Sequence, residues 1–147
     1  MKLEVCRLQL VRERTKEYSV RQIRNAEGIV KLMNELFDAE NLPEEHVWLL
    51  CLDNKLKVTN AQEVSHGTAN ASLSCIRDII KRILLSGSIA CVLVHNHPSG
   101  DCTPSKEDVE MTRRLQDACN LMEISVVDHL IIGDGSYISL KEEGLLK

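Results

Sequence analysis

Apolar and polar residues alternate through Leu3-Glu4-Val5-Cys6-Arg7-Leu8-Gln9-Leu10-Val11, which predicts an opening strand. Residues 12–24 are polar and predict a connector. Asn25 is placed to cap a helix whose inner face carries Ile29, Val30, Met33, Leu36 and Phe37, and Asn41-Leu42-Pro43 ends it. The apolar run from His46 to Leu52, with Val and Trp in it, predicts a central strand. Asp53-Asn54-Lys55 turns the chain, and Leu56 to Ser65 returns as the second strand of a hairpin. Ile76, Ile79, Ile80, Ile83 and Leu84 then recur at helical spacing, with Ser74 or Asn70 as cap and Gly87 as stop. Ile89 to Val94 is continuously apolar and rich in Val, as a strand covered on both faces should be. A turn-rich loop, His95 to Thr103, leads into a helix from about Pro104 to Met122, with Val109, Leu115, Ala118, Cys119 and Met122 facing inward. Val126 to Ile132 predicts a further strand, Gly133-Asp134-Gly135 a turn, and Tyr137 to Leu140 a last short strand. The expected fold is α/β, a single mixed β-sheet flanked by helices. It forms one domain over residues 1–147, with a strand and helix in 1–40 and the core in 41–147.

Composition narrows the picture. The chain has 147 residues, 44% apolar and 27% charged, which is the globular class. A chain of this length buries roughly two thirds of its unfolded surface and needs no metal to hold a core, so any metal would serve function. None of the six cysteines, at 6, 51, 75, 91, 102 and 119, forms a C-x-x-C pair, and several sit in apolar runs. Reduced thiols in a cytoplasmic protein are expected. The opening Met1-Lys2-Leu3-Glu4-Val5 carries charge where a signal peptide needs an apolar stretch, and no run is long enough to span a membrane. A net charge of −4 and four aromatic residues (Tyr18, Phe37, Trp48, Tyr137) do not favour unaided DNA binding. The locally basic Arg12, Arg14, Lys16, Arg21 and Arg24 are interrupted by two glutamates and read as a solvated surface.

The chemistry concentrates in His95-Asn96-His97-Pro98-Ser99-Gly100-Asp101-Cys102-Thr103-Pro104-Ser105-Lys106-Glu107-Asp108. In extended chain, residues two apart face the same side, so His95 and His97 converge just past a strand's end. Ligands of open α/β sheets gather at that end. With Thr103 as cap and Pro104 in the first helical position, Ser105 and Asp108 share a helix face that can fold back on the histidines. Two histidines and one aspartate leave a tetrahedral metal its fourth position for water. Taken separately, each half has an ordinary reading: polar surface at a strand end, and a capping box that starts a helix. Asn96 points away from the two histidines and pins the loop. His129 beside Asp128 reads as a buried His–Asp pair, with a role behind a ligand or at the substrate as the alternative; Cys102 reads as a bystander, with approach to the metal as its alternative, and His46 and His66 as structural or exposed.

His95-Asn96-His97-Pro98-Ser99-Gly100 followed by Pro104-Ser105-x-x-Asp108 resembles the signature of RadC-type proteins of the JAMM (JAB1/MPN+) metalloprotein superfamily. Gly67-Thr68-Ala69-Asn70-Ala71-Ser72 and Asp128-His129-Leu130-Ile131-Ile132-Gly133-Asp134-Gly135 are similar to RadC segments as well, so the likeness covers about residues 40–147. The resemblance implies a JAMM/MPN fold, related to that of cytidine deaminases. It implies one zinc ion per chain on His95, His97 and Asp108, with Ser105 supporting an oxyanion. It also implies a glutamate as general base, carried here onto Glu45; Glu44 is the alternative by one register and Glu63 a third choice. The implied activity is zinc-dependent hydrolysis of a peptide or isopeptide substrate. The alternative is a DNA-repair or DNA-processing accessory role, as nuclease or binding module, using the same metal. A homo-oligomer is left open. Longer RadC proteins carry an N-terminal helix-hairpin-helix region; the roughly 40 residues before the core here contain no such repeat, which puts any DNA role that needs it in question. A nucleobase deaminase would need H-x-E and P-C-x-x-C, and neither is in the chain.

Overall fold

The computed structural model describes residues 1–20, 22–67 and 76–147. The described elements are α1 (Ala26–Phe37), a 3-10 turn (Ala39–Asn41), β1 (His46–Leu52), β2 (Val58–His66), α2 (Ile76–Leu85), β3 (Ala90–Asn96), α3 (Lys106–Leu121), β4 (Ser125–Ile132) and β5 (Tyr137–Ser139). The strands form one sheet in the order β2-β1-β3-β4-β5. β1 runs antiparallel to both β2 and β3, β3 and β4 are parallel, and β5 returns antiparallel to β4. The sheet is therefore mixed and helix-flanked, as the hydrophobic pattern predicts.

Alternation along the strands sends side chains to two cores. Trp48, Leu50, Leu52, Val92, Val94 and Leu130 pack beneath α1. Val47, Leu49, Cys51, Cys91, Leu93 and Val126 pack beneath α2 and α3. All seven residues of β3 are buried, the outcome expected for a continuous apolar run covered on both faces. Asn25 caps α1 by accepting the Gly28 N–H at 2.9 Å. Phe37 stacks on Trp48 with ring centroids 5.4 Å apart, tying the end of α1 to the first strand.

Three expectations are corrected. Leu3 to Val11 is not a strand: the segment has no regular structure, and Leu3, Val5 and Leu8 are exposed. Alternation provides a face, but a strand also needs a partner for its backbone groups, and none of the described strands pairs with this segment. The hairpin's second strand begins at Val58, because Asp53 organises the turn. Its carboxylate accepts the N–H groups of Lys55 and Lys57, and Leu56 lies in the left-handed region with φ 57°. The caps expected for the second helix, Asn70 or Ser74, lie outside the described residues.

The third correction concerns α3. Its N-cap is Ser105, not Thr103, and Pro104 precedes the helix. Thr103 N–H instead donates to the Asp101 carboxylate at 2.9 Å, and a residue before proline is biased toward extended backbone. The buried stripe also has a different phase from the one expected. It runs through Asp108, Met111, Thr112, Leu115 and Cys119, while Val109 is half-buried and Met122 exposed. Asp108 faces inward as its place beside the histidines requires, and Thr112 joins it as a second buried polar side chain that the sequence reading did not place there.

Candidate metal centre

The site lies at the carboxyl end of β3, on the face covered by α3. His95 is almost fully buried within the strand, and His97 follows one residue beyond its end. Their Nε2 atoms lie 3.0 Å apart. α3 delivers Asp108 from its first turn, with one carboxylate oxygen 3.3 Å from His95 Nε2 and the other 3.5 Å from His97 Nε2. Ser105 and Asp108 cap the helix reciprocally: Asp108 N–H donates to Ser105 Oγ at 3.1 Å, and Ser105 N–H donates to Asp108 Oδ2 at 2.8 Å. The capping box and the metal motif are therefore one object. The same hydrogen bonds that start the helix hold the aspartate against the histidines.

β1 brings the glutamate. The antiparallel register pairs Val47 with His95, so Glu45, just before β1, falls beside His97. One carboxylate oxygen of Glu45 and one ring nitrogen each of His95 and His97 lie within 4.8 Å of one another. Asn96 fixes this approach. It accepts the His46 N–H at 2.7 Å and donates to the Glu44 carbonyl at 2.9 Å, gripping the backbone on both sides of Glu45. It pins the segment before β1 rather than the loop after β3. Glu44 turns elsewhere, toward Gly67, where a Cβ would meet its Oε2 at 2.8 Å. Glu63 is engaged by the Nδ1 atoms of His46 and His66, at 2.9 and 2.8 Å. This second His–Glu–His group is at the β1–β2 edge and is already satisfied by hydrogen bonding.

The loop between β3 and α3 is tied down by backbone bonds. His97 N–H donates to the Ile132 carbonyl, Gly100 N–H to the His97 carbonyl, and Asp134 N–H to the Gly100 carbonyl. Gly133 permits this approach, since a Cβ there would lie 2.3 Å from the Gly100 carbonyl oxygen. Gly133→Ala is expected to push the loop off β4 and cost on the order of 1–3 kcal/mol. A lowered urea midpoint at unchanged slope would report it. His97 Nδ1 lies 2.7 Å from the Asp101 carbonyl, which can only accept. The neutral His97 ring therefore carries its proton on Nδ1 and presents a bare Nε2 to the site. Cys102 contacts Ser136 instead of the histidines.

The donor set passes a geometric test for a zinc-sized ion. Tetrahedral bonds of about 2.0–2.1 Å place ligand atoms roughly 3.3 Å apart. The two Nε2 atoms lie 3.0 Å apart, and the Asp108 carboxylate presents one oxygen 3.3 Å from His95 and the other 3.5 Å from His97, spacings compatible with such an ion. Imidazole and carboxylate suit zinc and neighbouring divalent metals.

Electrostatics without metal follow from the same contacts. Burial alone would raise the Asp108 carboxyl, but the facing His95 and His97 side chains and the bond to Ser105 hold it far below the usual carboxylate range. The bond to Asp108 raises His97 against partial burial, assisted by the Asp101 carbonyl and the charges of Asp108 and Glu45. Burial, then the neighbouring His95, push His129 well below the ordinary histidine value.

The signs give a pH prediction for the metal-free protein. Raised His97 stabilises the fold fully below its unfolded value of about 6.5 and loses that contribution as pH rises through its higher folded value. Depressed His129 acts oppositely, costing stability as pH falls below about 6.5, because the unfolded chain takes up a proton that the folded chain refuses. Depressed Asp108 adds stability above about 3.9, lost only in stronger acid. Melting temperature without metal should thus peak close to pH 6.5. Added zinc should move the peak to higher pH, because a ligating His97 must be unprotonated. A metal-free profile that climbs steadily through pH 8 would contradict this.

Sequence reasoning missed Thr112, and of its two readings of His129 the pairing with Asp128 fails. The His129 ring does not pair with Asp128, whose carboxylate accepts from the His129 and Lys141 N–H groups and from Ser139 Oγ. The ring lies between His95 Nδ1, at 2.8 Å, and Thr112 Oγ1, at 2.5 Å. The usable signal for Thr112 was its spacing of four from Asp108, which puts both on one helix face.

A histidine–carboxylate cluster at the end of a buried strand of a mixed α/β sheet defines a class of metal-site domain. The chain belongs to the RadC-like JAB domain family, whose model matches residues 23–145. It is 40% identical over 126 residues to a UPF0758 protein of Methanococcoides burtonii, covering 86% of this chain and 54% of that one. A UPF0758 protein of Roseiflexus castenholzii is 40% identical over 124 residues, covering 84% and 52% of the two chains. One from Desulfitobacterium hafniense is 43% identical over 124 residues, covering 84% and 54%. The chain spans about half the length of the curated relatives it matches. Among the described residues, no helix is long and apolar enough to cross a membrane.

Proposed function

We propose that this domain is a zinc-dependent hydrolase of amide or isopeptide bonds, with His95, His97 and Asp108 as ligands, Glu45 as general base and Ser105 as oxyanion donor. The observation that supports it best is the meeting of two imidazole nitrogens and the Asp108 carboxylate at spacings of 3.0–3.5 Å, with the Glu45 carboxylate beside the histidines. Bound zinc supplies Lewis-acid polarisation of a carbonyl and a more acidic water. Glu45 takes a proton from the attacking water as its oxygen joins the carbonyl carbon. It returns that proton to the nitrogen as the C–N bond breaks. Ser105 Oγ accepts from Asp108 N–H, and among the described residues no acceptor takes its own proton, which is left to donate to developing negative charge.

The test is to load the purified chain with zinc, determine bound metal by mass spectrometry, and assay quenched peptides and lysine-linked isopeptides with and without chelator. Chelator-sensitive cleavage is expected, and a chain that cannot be loaded sinks the proposal. Titration of labelled duplex DNA against salt addresses the nucleic-acid alternative, for which tight binding with a steep salt slope is the signature.

A further inference from the structure

The ring of His129 sits at the bottom of the site with 0% exposure, behind the nearest proposed ligand. Its two nitrogens meet His95 Nδ1 and Thr112 Oγ1, and among the described residues no carboxylate reaches the ring. A cationic imidazole there would be a buried charge without a counter-ion, so the ring is neutral and carries one proton.

Thr112 decides which nitrogen holds that proton. Its hydroxyl has a single hydrogen and faces two partners, the Asp108 carbonyl at 2.6 Å and His129 Nδ1 at 2.5 Å. The carbonyl can only accept. For both contacts to be hydrogen bonds, Thr112 must donate to the carbonyl and accept from His129 Nδ1–H. His129 Nε2 is then a bare acceptor and takes the proton of His95 Nδ1. That leaves the lone pair of His95 Nε2 aimed at the proposed metal position.

We infer that Thr112 and His129 form a directional hydrogen-bond relay that locks His95 in its ligand-competent tautomer, Thr112 acting as the positioning residue that sets the direction. This rests on the metal-binding reading for its purpose, but the tautomers themselves do not depend on that reading. The relay begins at the backbone of Asp108, so one proposed ligand's own carbonyl polarises the chain of bonds that orients another. His97 is set separately, through the Asp101 carbonyl. Groups behind a metal ligand commonly change metal affinity by about 10–100-fold when removed. Without the Thr112 hydroxyl, His129 is free to protonate Nε2, which forces His95 to accept at Nδ1 and to carry its proton on the metal-facing Nε2.

Long-range proton–nitrogen NMR of the metal-free wild-type protein, at a pH where His97 is neutral, reads the tautomers directly. His95 and His129 should both be protonated on Nδ1 and bare on Nε2, and a His95 protonated on Nε2 overturns the inference. Zinc affinity is then compared in Thr112→Val and Thr112→Ser by competition with a chromophoric chelator. Valine should weaken binding about 10–100-fold and serine should restore it nearly to wild type. Valine binding zinc as wild type does, even with a lowered melting temperature, would show a packing role only and overturn the relay. Wild-type protein that binds no zinc would instead defeat the metal reading, with the NMR spectrum still deciding the relay.

Discussion

Asparagine in place of Asp108 is expected to weaken zinc binding on the order of a thousandfold with little change in fold. Structural zinc sites hold roughly 10–16 kcal/mol of apparent binding free energy, so one donor of four accounts for about 3–4 kcal/mol. At about 1.4 kcal/mol per decade, that is two to three powers of ten. The isostere is chosen for its oxygen. Ser105 N–H donates to Asp108 Oδ2 at 2.8 Å, and an asparagine carbonyl can accept the same bond, so the helix start survives. Alanine would remove cap and charge together and confound the two. The charge has a second effect, because the bond to Asp108 is the main reason His97 is raised. The metal-free variant should therefore lose less stability on the alkaline side of its pH profile than wild type does. Chelator competition reads the first effect and melting curves across pH the second. Equal zinc affinity in wild type and Asp108→Asn would remove Asp108 from the ligand set.

Glu45→Gln should bind zinc as wild type does yet hydrolyse amide substrates about 10²–10⁴-fold more slowly, the usual contribution of a general base. Glutamine retains size and hydrogen bonding but cannot carry the proton from water to the leaving nitrogen. Glu44→Gln and Glu63→Gln are the internal comparisons. Glu44 is turned toward Gly67, and Glu63 is bound by His46 and His66, so neither substitution should affect turnover. Loss of turnover in Glu44→Gln with Glu45→Gln active would move the base by one residue. Equal zinc affinity across all three is the control that separates proton transfer from metal retention.

Adjacent features of the chain differed greatly in how legible they were. The strand His46–Leu52 and the buried strand before His95 were readable because a continuous apolar run has few other fates in a chain of this size. The alternation of Leu3 to Val11 was equally regular and formed nothing, since pairing depends on a partner strand that local pattern does not specify. The α3 cap was misplaced because Thr103 and Ser105 are both competent caps; reciprocal bonding between Ser105 and Asp108 decided between them.

The site divides along the same line. By itself the sequence determined the spacing of His95, His97, Ser105 and Asp108, because strand and helix periods place such residues on common faces whatever surrounds them. Only the tertiary structure brings Glu45 beside the histidines and turns Glu44 and Glu63 to other partners. That arrangement depends on the register of β1 against β3 and on Asn96 bridging the backbone around Glu45, 50 and 52 residues away in sequence. Thr112 and His129 were likewise assigned by packing. Their hydrogen bonds join α3 to β4 to β3, and the direction of a hydroxyl's single proton is set by partners that chain order does not reveal.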